Sequence, residues 1–177
     1  GKSPGAFAHP TVPSVHPYVL VNYQGKPRDV MTLAHELGHG VHQVLAGPQG
    51  ALMSATPLTL AETASVFGEM LTFRSLLDRT TDKGERKAML AQKVEDMINT
   101  VVRQVAFYQF ERKVHTERRK GELTSDQICE LWLSVQAESL GPSVRFGDGY
   151  ETFWAYIPHF IHSPFYVYAY AFGDCLV

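Results

Sequence analysis

His35-Glu36-Leu37-Gly38-His39 spells H-E-x-x-H. On a helix, residues i and i+4 share one face about a turn apart, so both imidazoles can reach a single ion. Glu36, beside the first histidine, can reach a water molecule carried by that ion. Imidazole donors suit zinc. Two histidines and a third protein ligand leave zinc an open position for water, whose pKa then falls toward neutrality. The chemistry in prospect is hydrolysis by an activated water at one zinc ion, with Glu36 as general base. Multiplying the chain's own His and Glu frequencies over all start positions gives about 0.02 accidental matches to the pattern. The competing reading is an exposed His/Glu helix face that holds no metal.

A third ligand has to come from elsewhere. The three-histidine pattern H-E-x-x-H-x-x-G-x-x-H needs Gly at 42 and His at 45; the chain has His42 and Leu45, which excludes that class. His42 lies seven residues beyond His35 on nearly the same face, but roughly 10 Å along the axis, too far for a straight helix to aim all three rings at one ion. It is more at home lining a cleft. Glu62 is the better candidate. It sits after a Gly47–Gly50 reversal, on a segment that can fold back antiparallel, and Ala61, Thr63, Ala64 and Ser65 around it permit close approach. Thr59-x-x-Glu62 also fits a capping box, so ligand and cap both stay open. Glu69, seven residues on, could accept a hydrogen bond from a ligand histidine and fix its tautomer, or could be an exposed carboxylate.

The elements that must position these residues follow from pattern. Pro10, Pro13, Pro17, Pro27, Gly5 and Gly25, with Pro4, exclude a helix over the first 30 residues. Within that stretch Tyr18–Tyr23 reads as a strand ending in a Gln24–Pro27 turn. Its edge could offer backbone hydrogen bonds to an extended peptide. From Arg28 to about Ala46 the apolar residues recur at three and four, with Asp29 as N-cap. A second helix is expected over about Pro57–Asp78, and a long third over about Asp82–Arg119, with basic last turns that suit the helix dipole. A fourth, capped by Thr124 or Ser125, runs to about Leu140. The aromatic tail from Tyr150 is ambiguous: Tyr166, Tyr168 and Tyr170 alternate as in a strand, while Tyr166 and Tyr170 would share a face of a helix. The class is mainly α-helical with a short β element near the N-terminus.

Composition narrows the functions. The chain has 177 residues, 45% hydrophobic and 19% charged, with net charge −2. That is a folded chain with no basic excess for nucleic acid. No run of 18 apolar residues spans a membrane. Cys129 and Cys175 are far apart and outside any C-x-x-C, so they build no disulfide scaffold or cysteine zinc site, and suit a reducing, cytoplasmic setting. Eight histidines are the unusual feature.

Several of these segments together resemble the oligoendopeptidase F family, bacterial relatives of thimet oligopeptidase. They are the H-E-L-G-H helix, Leu60-Ala61-Glu62-Thr63-Ala64-Ser65, the tail Ile157-Pro158-His159-Phe160 and Pro164–Ala171, the opening Gly1–Phe7, the strand Pro17–Tyr23, and Arg103-Gln104 through Phe110-Glu111. The resemblance implies a zincin-like (gluzincin-type) peptidase that cuts short peptides. It assigns His35, His39 and Glu62 to zinc and Glu36 to the general base. It also implies that residues 1–177 form a single catalytic-domain fragment, the partial core of a longer enzyme. In that family a tail histidine followed by tyrosines stabilises the oxyanion. His159 matches the histidine, and Tyr166 and Tyr170 match the tyrosines, with Tyr168 still open; His162 is a bystander. Two rival readings are a zinc amidase of other specificity and a zinc-binding helical module without turnover.

Overall fold

The computed structural model describes residues 5–177; Gly1-Lys2-Ser3-Pro4, part of the opening similarity and of the proline-rich lead, lie outside the described residues. Of the described residues, 5–95 together with Phe172–Val177 form one compact unit and Asp96–Ala171 another.

In the first unit the proline-rich lead folds as a hairpin. Strand β1 (Ala6–His9) pairs antiparallel with β2 (Tyr18–Val21), Phe7 opposite Leu20. Pro10, Pro13 and Pro17 fall in the connecting loop, where a missing N–H costs no ladder bond. The hairpin lies on helix α1 (Pro27–Ala46), Val19 beside Gly40. Asp29 is not the N-cap of α1. Pro27 begins the helix two residues earlier, its ring already set for the first turn. Asp29 therefore stands at the third helical position, where its Oδ2 accepts the N–H groups of Gln24 (2.8 Å) and Lys26 (2.9 Å).

A tight helical turn at Gly47–Gln49 ends α1. The expected second helix is shorter than its pattern. A separate turn, Leu58–Leu60, comes first, and α2 runs Thr63–Arg79. Glu62 sits at the break with φ −95° and ψ −4°, backbone angles that many site residues adopt. The expected long third helix divides into α3 (Lys83–Ile98) and α4 (Gln104–Arg118), joined by a wider π-helical turn at Asn99–Arg103. Such a turn inserts one residue per helical cycle without breaking the run.

What brings α1 and α2 together is the absence of side chains. A Cβ on Gly38 would stand 2.4 Å from the Ala64 carbonyl oxygen and 2.7 Å from Ser65 Cα. One on Gly68 would stand 2.7 Å from the Ala34 carbonyl oxygen. The two backbones touch where glycine faces backbone, and no larger residue fits.

The second unit is built on α4, α5 (Ser125–Leu140), a 3₁₀ turn over Tyr150–Tyr156, the one-turn α6 (His159–His162), and the start of α7 (Tyr168–Leu176). Thr124 caps α5 as expected: its Oγ1 accepts Gln127 N–H, and Gln127 Oε1 accepts Thr124 N–H. Trp132, fully buried, is the centre of an aromatic core with Phe107, Phe110 and Phe160. Its indole N–H donates to the Tyr150 carbonyl. The tail is helical, not a strand: its backbone bonds close locally, Ser163 N–H to the His159 carbonyl and Ala169 N–H to the Tyr166 carbonyl, although Val167, Ala169 and Ala171 are buried at alternate positions. The chain is mainly α-helical with one two-stranded sheet among the described residues, as its pattern indicates. No helix among them is long and apolar enough to cross a membrane.

Gly38→Ala is expected to destabilise the fold by about 2 kcal/mol or more, as overpacking does, whereas Gly147→Ala, at a site with nothing within 4 Å, stays within about 0.5 kcal/mol. Urea denaturation of the two variants decides; equal stabilities would mean that α1 and α2 have room to separate.

Candidate functional site

The α1–α2 contact gathers three donors. His35 and His39 project from one face of α1, their rings 4.8 Å apart and edge to face. Glu62 meets them from the start of α2. Its Oε2 lies 3.2 Å from His35 Nε2 and 3.4 Å from His39 Nε2, and one donor atom from each of the three residues falls within 4.8 Å of the others. Donors bonded at 2.0–2.1 Å around a tetrahedral zinc stand about 3.3 Å apart, which the two carboxylate–imidazole separations match. The geometry brings together the three residues that the sequence singles out. His42 is not among the converging donors.

Glu62 is buried to 2% exposure, yet its side chain does not cap the helix. The capping-box alternative fails because the carboxylate turns toward the histidines. Ser65, fully buried one turn on, donates its hydroxyl to Glu62 Oε2 at 2.9 Å. A Cβ on Gly173 would come within 2.9 Å of the Glu62 backbone carbonyl, so that glycine backs the Glu62 main chain. The sequence shows Ser65 only as one small residue among several, though its i+3 spacing from Glu62 is a usable signal; nothing local marks Gly173.

Glu69 takes the supporting place. Its Oε1 lies 2.5 Å from His35 Nδ1, which leaves Nε2 as the free face of that ring toward Glu62. Burial pushes the His35 pKa down, but hydrogen bonds to Glu62 and Glu69, and their charges, outweigh it and hold the pKa up at about 10. A pocket that retains a proton so firmly is one that favours a cation. Glu36, on the same helix, is 7% exposed; burial pushes its pKa up while His35 and His39 pull it back. A carboxylate lifted in this way suits proton transfer near neutral pH.

A second group of expected site residues assembles in the other unit. Phe160 packs in the aromatic core at 5.5 Å from Phe107 and thereby fixes α6, whose first residue is His159. The His159 ring stacks on Tyr166 at 5.9 Å and meets Tyr170 edge-on, with Nε2 3.3 Å from the Tyr170 hydroxyl. Tyr166 precedes α7 rather than lying on it, and its carbonyl accepts the Ala169 N–H. Tyr168 turns its ring instead onto Tyr108. His162 is exposed.

The profile of "Peptidase family M3" matches residues 1–173. Oligoendopeptidase F, chromosomal, of Lactococcus lactis subsp. cremoris is 34% identical over 98% of this chain and 29% of its own length. The oligoendopeptidase F homolog of Borreliella burgdorferi is 34% identical over 98% of this chain and 30% of its own. The crystal structure of oligoendopeptidase-F from Enterococcus faecium superposes with a TM-score of 0.61 at 30% identity, over 85% of this chain and 28% of that one. The chain thus spans a little under a third of each relative.

Ser65→Ala deprives a buried carboxylate of its hydroxyl donor. It is expected to cost about 2 kcal/mol, against less than about 0.5 kcal/mol for exposed Ser134→Ala. Chemical denaturation of the metal-free protein measures both; a silent Ser65→Ala would mean that Glu62 does not depend on that bond.

Proposed function

The chain belongs to peptidase family M3, and on that premise we propose that it is the catalytic part of a zinc-dependent endopeptidase acting on short peptides. The observation that carries the proposal is the convergence of His35, His39 and Glu62 donors at separations suited to one zinc ion. Zinc, when bound there, supplies a Lewis acid that makes water nucleophilic near neutral pH. Glu36 accepts the proton of the attacking water and returns it to the leaving nitrogen. Glu69 keeps the proton of His35 on Nδ1, so that Nε2 is the ligating nitrogen.

His159, Tyr166 and Tyr170 are the proposed hydrogen-bond donors to the oxyanion that forms at the attacked carbonyl. The Tyr170 hydroxyl beside His159 Nε2 is favoured over Tyr168, whose ring is engaged by Tyr108. Two imidazoles and a carboxylate favour zinc by ligand type. Residues 1–177 are proposed as one catalytic-domain fragment. The two free cysteines are in keeping with a reducing, cytoplasmic setting.

In the full-length protein Glu62→Ala is expected to abolish stoichiometric zinc, read by equilibrium dialysis with metal analysis. Retention of one zinc per chain would hand the third place to His42 or another residue. Glu69→Ala is expected to weaken zinc binding about 10- to 100-fold, as loss of a carboxylate behind a ligand histidine does. Glu36→Gln is expected to keep zinc and to lower cleavage of a quenched oligopeptide by about 10²-fold or more. Cleavage that survives Glu36→Gln contradicts the mechanism, and retained zinc without cleavage in the unaltered enzyme would favour a metal-binding module.

A further inference from the structure

Between α6 and α7 the chain reverses through Ser163-Pro164-Phe165. Phe165 has φ +62°, a left-handed conformation that a bulky residue seldom adopts. Two groups one turn apart on α4 hold it there. Glu111 Oε1 accepts the Phe165 backbone N–H at 2.8 Å, and the His115 ring lies 4.7 Å from the Phe165 ring. Glu111 is 2% exposed, and its Oε2 is buried with no hydrogen-bond partner among the described residues. Burying a carboxyl for a single backbone N–H adds little to stability, since desolvation offsets one bond. It does fix one amide in place. From that amide the next steps are short. Tyr166 follows directly, its N–H bonded to the Ser163 carbonyl at 3.1 Å, and its own carbonyl accepts the Ala169 N–H at 2.9 Å as α7 begins. The rings of Tyr166 and Tyr170, 5.4 Å apart, both face His159.

We infer that Glu111 is a positioning residue: by strapping Phe165 in its left-handed conformation it sets the angle at which Tyr166 and Tyr170 meet His159. The inference rests on the reading of that trio as oxyanion donors. Donor placement is the property to which rate is most sensitive, because an error of about 1 Å can cost two orders of magnitude.

The test uses the full-length zinc-loaded protein with an internally quenched oligopeptide. Glu111→Leu keeps the volume and removes the acceptor. It is expected to lower kcat at least tenfold per zinc bound, with KM within twofold, and to speed amide exchange at Phe165 at least tenfold. Glu111→Gln keeps an acceptor oxygen and is expected to hold kcat within threefold of the unaltered enzyme. Unchanged kcat in Glu111→Leu, while Tyr170→Phe lowers it, overturns this inference and leaves the donor reading standing. Unchanged kcat in both overturns the donor reading and this inference with it. Should Glu111→Leu not fold, exchange in the unaltered protein decides: the Phe165 amide is expected to be protected at least a hundredfold, and exchange at the rate of an unstructured amide overturns the strap.

Discussion

The first unit is organised around one buried carboxylate. Glu62 is almost wholly removed from water, and an ionised carboxylate in that position is tolerable only if it is paired and hydrogen-bonded. Its partners include two imidazoles from α1 and one hydroxyl from α2. The two imidazole contacts depend on the helices lying nearly backbone to backbone, which Gly38 and Gly68 allow. Gly173 closes on the Glu62 main chain from another side. The glycines therefore act indirectly: they bring a buried carboxylate from one helix within reach of an imidazole pair on the next.

The same arrangement explains how His35 is used. A ring held between two carboxylates has one nitrogen directed to Glu69 and the other to the donor cluster. Without Glu69 the ring would be free to rotate or change tautomer. Glu36 adds a third carboxyl to this neighbourhood, which together with burial raises its affinity for a proton. A concentration of acid groups around two histidines is costly for a fold and suited to a cation and a base.

Much of this is visible in residue order. H-E-x-x-H on a helix-period segment, and small residues around Glu62 after a Gly/Pro reversal, lead to the same cluster that the folded chain forms. At Glu62 residue order leaves two roles open, since Thr59-x-x-Glu62 fits a cap by spacing alone; only the direction of the side chain separates them, and direction is a tertiary property. Asp29 illustrates the reverse. A good capping residue was displaced to the third position because Pro27 could start the helix earlier. In the tail, tyrosines and the buried residues between them alternate as in a strand, yet the backbone closes local helical hydrogen bonds, so period alone misleads there. Glu111 was legible only as part of a family-like motif; its bond to Phe165 spans 54 residues, and no local pattern reports it.

The central claim is the ligand set of the first unit, and zinc K-edge X-ray absorption of the zinc-loaded protein tests it most directly. Two imidazole nitrogens and carboxylate oxygen are expected at about 2.0–2.1 Å, with no sulfur near 2.3 Å. A third imidazole, or sulfur from Cys129 or Cys175 in the coordination sphere, would contradict it.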